Sequence, residues 1–135
     1  MSCKSGIYAI NTTVGTALAV DSTYMPNTII RRFGQNVNLA GNGIVLNGSG
    51  YYKVDATATV VATAVGDITA TLYKDGVAVP GATATATAAA IGDFVALPIT
   101  ALVRLGCNCD EARLTIVMSE SATTSQNLSI VVVKE

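Results

Sequence analysis

Gly50-Tyr51-Tyr52-Lys53-Val54-Asp55-Ala56-Thr57-Ala58-Thr59-Val60-Val61-Ala62 changes character at nearly every step. Tyr52, Val54, Ala56, Ala58, Val60 and Ala62 fall on one side, and Tyr51, Lys53, Asp55, Thr57 and Thr59 fall on the other. That is the period of two of a half-buried β-strand, with the first set facing a core. The same period recurs on both sides of this stretch, and the helical period of 3.6 is almost nowhere.

Upstream, Asn47-Gly48-Ser49-Gly50 turns the chain into the strand. Val37–Leu39 and Ile44–Leu46 flank Gly41-Asn42-Gly43, a hairpin chemistry because Gly and Asn accept positive φ. Shorter strands are expected at Ile7–Ile10, Thr16–Val20 and Thr28–Phe33. Downstream, Ile68, Ala70 and Leu72 alternate with Thr69, Thr71 and Tyr73 and run into Asp75-Gly76, a strong two-residue hairpin signal, followed by Val77–Val79. Pro80-Gly81 closes that arm, and Ala82–Ala90 reads as a further strand. A short helix over Ala86–Ile91 competes with it, because Ala is the best helix former, and Gly92 would end either element. Arg113–Met118 supplies one more strand, with Leu114, Ile116 and Met118 inward.

Two segments are apolar on both faces. Val95, Leu97, Ile99, Ala101, Val103 and Leu105 point one way, and Phe94, Ala96, Pro98 and Leu102 the other. In the closing segment Leu128, Ile130 and Val132 oppose Val131 and Val133. An antiparallel sandwich normally leaves one face of each sheet wet, so an apolar outer face asks for a cover. The pattern predicts an all-β, antiparallel, jelly-roll-like sandwich of about eight to ten strands.

The chain has 135 residues, 8 Lys plus Arg, 9 Asp plus Glu, no His and no Trp, and 50% hydrophobic residues. Such a length fits one domain. We divide it into a tail over residues 1–6 and a single β-sandwich domain over 7–135. A net charge of -1 with no basic cluster excludes nucleic acid, and no run of about 18 apolar residues marks a membrane span. The first residues carry Lys4 but no apolar run behind it, so no secretory signal is expected, and residence in the cytoplasm is the default. The surplus of Ala, Val and Ile calls for a protein partner, most simply another copy of the chain.

Chemistry is sparse. Without His, neither Ser nor Cys has its usual base, and the acidic residues sit mostly beside Gly or at strand ends as turn residues. Cys107-Asn108-Cys109 is half a zinc site at most, completed only by Cys3, Asp110 or another subunit. Free thiols in a turn are the simpler reading. The glycine-rich turns precede no helix and so cradle no phosphate, and Arg31-Arg32 reads as an exposed edge. No catalytic residue, cofactor or metal site is expected.

Gly50-Tyr51-Tyr52-Lys53-Val54, Leu72-Tyr73-Lys74-Asp75-Gly76, Gly92-Asp93-Phe94-Val95 and the closing Leu128-Ser129-Ile130-Val131-Val132 follow in an order and spacing that resembles the globular heads of the tumour necrosis factor and complement superfamily. With Arg31-Arg32-Phe33-Gly34, Cys107-Asn108-Cys109 and the Ala-Thr-Val-rich strands, the chain is also similar to small structural proteins of phages and prophages of Gram-positive bacteria, and less closely to spore-surface heads. The resemblance covers Ile7 to Lys134. It implies a ten-stranded jelly roll assembled as a threefold homotrimer, with no catalytic residues to carry over. It also places the strand after Gly50 near the threefold axis, so that Lys53 and Asp55 pair at the subunit interface. Phe94, Ala96, Leu102, Val131 and Val133, apolar and outward, complete that expected interface.

The function expected is that of a bacteriophage structural protein, a capsid-decoration or head-fibre knob on the virion surface, assembled in the host cytoplasm. Its partners would be itself and a major capsid protein or another virion protein. Ser2, Cys3, Lys4, Ser5 and Gly6 are the expected capsid anchor, because a polar tail without a strand pattern can order on binding. The alternative is a receptor-binding or adhesin head with a ligand on the host surface.

Overall fold

The computed structural model describes residues 5–40, 43–105 and 111–134. Twelve strands and no helix occur among them: β1 Gly6–Asn11, β2 Ala17–Leu18, β3 Ser22–Thr23, β4 Thr28–Phe33, β5 Val37–Ala40, β6 Gly43–Asn47, β7 Gly50–Ala62, β8 Gly66–Lys74, β9 Val77–Ala88, β10 Phe94–Leu105, β11 Glu111–Ser119 and β12 Thr123–Lys134. They form two antiparallel six-stranded sheets. Sheet A has the order β10-β7-β12-β1-β4, with β2 alongside β12; sheet B has the order β5-β6-β11-β8-β9, with β3 alongside β11. This is a jelly roll.

The alternating stretch becomes β7, a central strand hydrogen-bonded along nearly its whole length to β10 on one side and β12 on the other. Its six inward side chains, Tyr52 to Ala62, are all buried, as are Ile68, Ala70 and Leu72 of β8 and Leu114, Ile116 and Met118 of β11 facing them from sheet B. Tyr52 extends its phenol to the turn before its own strand, donating to the carbonyls of Gly48 at 2.7 Å and Asn47 at 3.0 Å. Burial pushes its pKa up.

The Asp75-Gly76 hairpin forms as its chemistry requires, with φ of 52° and 80° at the two residues. Several boundaries differ from the sequence reading. Val77–Val79 and Ala82–Ala90 fuse into one strand, β9, which carries Pro80-Gly81 on a pairing irregularity opposite Thr71 and Tyr73. No helix forms at Ala86–Ile91, because Ala86 and Ala88 are held in register with Ile68 and Gly66. Thr16–Val20 shrinks to Ala17–Leu18. The closing strand begins at Thr123 rather than Leu128, turning the hydroxyls of Thr123 and Ser125 inward.

Ser5 and Gly6 belong to the sandwich and not to the tail expected over residues 1–6. Gly6 opens β1 between Val133 and Phe33, and Ser5 is fully buried. The Ser5 hydroxyl donates to Asn36 Oδ1 at 2.9 Å, and its carbonyl accepts from Lys134 N at 2.8 Å. Ser2, Cys3 and Lys4 lie outside the described residues, as do Cys107 and Cys109.

Candidate functional site

The outward side chains of sheet A form rows running across the strands. One row reads Leu102, Lys53, Val133, Gly6, Phe33, and the next reads Thr100, Asp55, Val131, Tyr8, Arg31. Further along the strands come Pro98, Thr57 and Ser129, then Ala96 and Thr59, then Phe94 and Val61. All seven residues expected at a subunit interface therefore share one face: Lys53 and Asp55 on β7, Phe94, Ala96 and Leu102 on β10, Val131 and Val133 on β12. Alternation fixes this, since each lies one residue from a core residue on a strand whose register is unbroken there.

In the single chain this face is open, with large apolar side chains set among threonines and a few charges. Phe94 is 69% exposed, Leu102 60%, Phe33 47% and Tyr8 40%. Val131 and Val133 are half-buried. Lys53 sits between Leu102 and Val133, and Asp55 between Thr100 and Val131, and both charges are exposed in the single chain. Thr100 donates its hydroxyl to Asp55 Oδ1 at 3.0 Å. Tyr8 and Phe33 belong to this face and were not singled out from the sequence. Tyr8 could have been, by its alternation with Ile7 and Ala9; Phe33 could not, because its place depends on β4 pairing with β1.

The expected anchor is split. Ser5 and Gly6 are structural, as described above. They share one end of the sandwich with the Asn47–Gly50 turn and with the flanks of the 106–110 segment, Leu105 and Glu111, which pair with Gly50 and Asn47. Arg31-Arg32 lies on β4, the outer strand of sheet A, where Arg32 Nε donates to the Val37 carbonyl at 2.7 Å. Among the described residues no group of three His, Cys, Asp or Glu side chains gathers to hold a metal, and no helix is long and apolar enough to cross a membrane.

No protein-family model and no curated protein sequence matches the chain. Its fold, in contrast, matches many solved structures. The PRD1 vertex protein P5 superposes with a TM-score of 0.67 at 14% identity, over 96% of each chain. A tumour necrosis factor from S. frugiperda, Eiger, gives 0.69 at 12% identity over 98% of this chain and 91% of that one. The globular domain of the zebrafish complement 1qA protein gives 0.65 at 7% identity over 96% and 94%. The fold is the jelly roll of the tumour necrosis factor and complement heads.

Proposed function

We propose that the chain is a structural head without enzymatic turnover, assembled as a homotrimer through the outer face of sheet A and attached to the surface of a bacteriophage virion. The observation that carries the assembly is the open apolar face itself. Four large apolar side chains, Phe94, Leu102, Tyr8 and Phe33, are exposed on this one face, together with the half-buried Val131 and Val133. A second copy supplies the cover, and a closed ring of identical contacts limits it to a finite particle.

Attachment to a shell is supported by the likeness to a vertex protein and by the geometry of one end, where Ser5, the Asn47–Gly50 turn and the flanks of residues 106–110 cluster. Three copies of a weak contact, presented together to a symmetric lattice, gain strength through effective concentration. The anchor assigned here is Ser2, Cys3 and Lys4, since Ser5 and Gly6 are needed by the fold. Deleting Ser2–Lys4 should leave a folded trimer that no longer co-sediments with capsids. Undiminished binding by that deletion would move the anchor to the turn or to residues 106–110.

A further inference from the structure

Divided across the strands at Ala56, the middle of β7, the sandwich separates its charges. In the half that holds Ser5, sheet A carries Arg31 and Arg32 opposite Tyr8 and Ile7, Lys53 between Leu102 and Val133, Arg104 opposite Tyr51, and Lys134 opposite Tyr52. Sheet B adds Lys74 opposite Leu114 and Arg113 opposite Val45. Lys74 Nζ donates across the layers to the Arg104 carbonyl at 2.9 Å, which puts both groups at the same end. The acids of this half are Asp55, Asp75 and Glu111, so its described residues carry seven cations against three anions, a net charge of +4.

The other half is the reverse. Asp67 lies opposite Thr87, Asp21 N donates to the Met118 carbonyl at 2.7 Å, and the Asp93 carbonyl accepts from Ala62 N at 2.9 Å. Glu120 follows Ser119, which lies opposite Thr69. No Lys or Arg joins these four acids among the described residues, and the net charge is -4. Lys4, Asp110 and Glu135 lie outside the described residues and together add -1, too little to change either sign. Nor does the fold offset these charges. Arg32 Nε and Lys74 Nζ donate to the carbonyls of Val37 and Arg104, while Asp67 and Asp93 accept from Thr87 Oγ1 at 2.6 Å and Ala90 N at 3.1 Å, all of them neutral partners. A surface that serves solubility alone intersperses the two signs; here they sit at opposite ends.

We propose that the half holding Ser5 docks on an acidic protein surface, and that the charge separation sets which way the head stands on its shell. The inference rests on the shell attachment proposed above and names the chemistry of the surface attached to. A positive end is drawn toward such a surface and the acidic end is turned from it, which raises the rate of correctly oriented encounters. Arg32, Lys74, Arg113 and Lys134 lie off the outer face of sheet A, so they stay available when other copies cover that face. Nucleic acid fits less well, because a phosphate backbone asks for a continuous basic track and Asp75 and Glu111 interrupt these cations.

Co-sedimentation of the full chain with intact shells across a salt series tests this. Binding should weaken about tenfold as ionic strength rises from about 0.01 M to about 0.1 M and the Debye length contracts from about 30 Å to about 10 Å. Arg32→Glu with Lys134→Glu should weaken it by a similar factor at low salt, with circular dichroism unchanged; Lys134→Gln alone gives a smaller loss in the same direction and serves if the double variant does not fold. Asp67→Asn, in the acidic half, should bind as the parent does. Attachment indifferent to salt, or undiminished in a folded Lys134 variant, would overturn the acidic partner and leave the attachment standing. No attachment at any salt would remove both. Tighter binding to duplex DNA than to shells would overturn the proposal in favour of a nucleic-acid partner.

Discussion

The Phe33 ring lies across Gly6: a Cβ built on Gly6 would stand 2.6 Å from Phe33 Cζ and 2.7 Å from Cε1. The absence of a side chain at Gly6 lets β4 lay an aromatic ring flat onto β1 and extends the apolar face of sheet A to its outer strand. Gly6→Ala should therefore cost about 1 kcal/mol, the scale of a displaced rotamer, because the half-exposed ring can swing away. Gly43→Ala should cost more, about 2 kcal/mol. There the added Cβ would meet the Leu114 carbonyl oxygen at 2.7 Å, with φ at +149°. Urea unfolding of both variants checks the order.

Leu102→Asp should yield a folded monomer. Leu102 is 60% exposed in the single chain, so the sandwich tolerates the charge, whereas a copy covering sheet A would have to bury it unpaired. Circular dichroism unchanged from the parent, together with loss of the oligomer by sedimentation, is the expected pair of results.

Asp55→Ala should weaken the assembly by leaving Lys53 without an opposite charge in the covered face, a penalty of about 3 kcal/mol for a fully desolvated pair. Replacing both, as Lys53→Met with Asp55→Leu, should restore association. Equal oligomer stability in the single variant and the parent would mean that these side chains remain in solvent.

The two buried tyrosines separate by their partners. Tyr52→Phe removes a hydroxyl whose single proton is shared between the Gly48 and Asn47 carbonyls of the turn, and should cost about 1–2 kcal/mol at neutral pH. Tyr24→Phe removes a hydroxyl with no partner and should be close to neutral. Both phenols have pKa values raised above the ordinary 10.0. Their neutral form is favoured in the folded state, so stability is fully present below pH 10.0 and falls as pH rises toward the folded values. Each Phe variant should flatten that alkaline loss, measured by denaturation across the range.

Most of the sandwich could be read in the chain because the alternation is clean wherever one face meets the core. Residues 52–62 gave both strand and facing, and the seven residues expected at the interface do share one side. The misses have non-local causes. Ala82–Ala90 was ambiguous because Ala favours a helix and the ladder to β8 that overrides it is non-local. Ser5 and Gly6 looked like a tail because small polar residues carry no period; their burial comes from Asn36 and Phe33, some thirty residues away. The burial of Tyr24 has no signal in the chain, since a lone aromatic between Thr23 and Met25 carries no period.

Sedimentation equilibrium of the unmodified full chain at neutral pH tests the central claim most directly. The account predicts a single species of about 41 kDa, three times the 13.8 kDa of one chain, persisting to low micromolar concentration. A folded species of 13.8 kDa at tens of micromolar would contradict it.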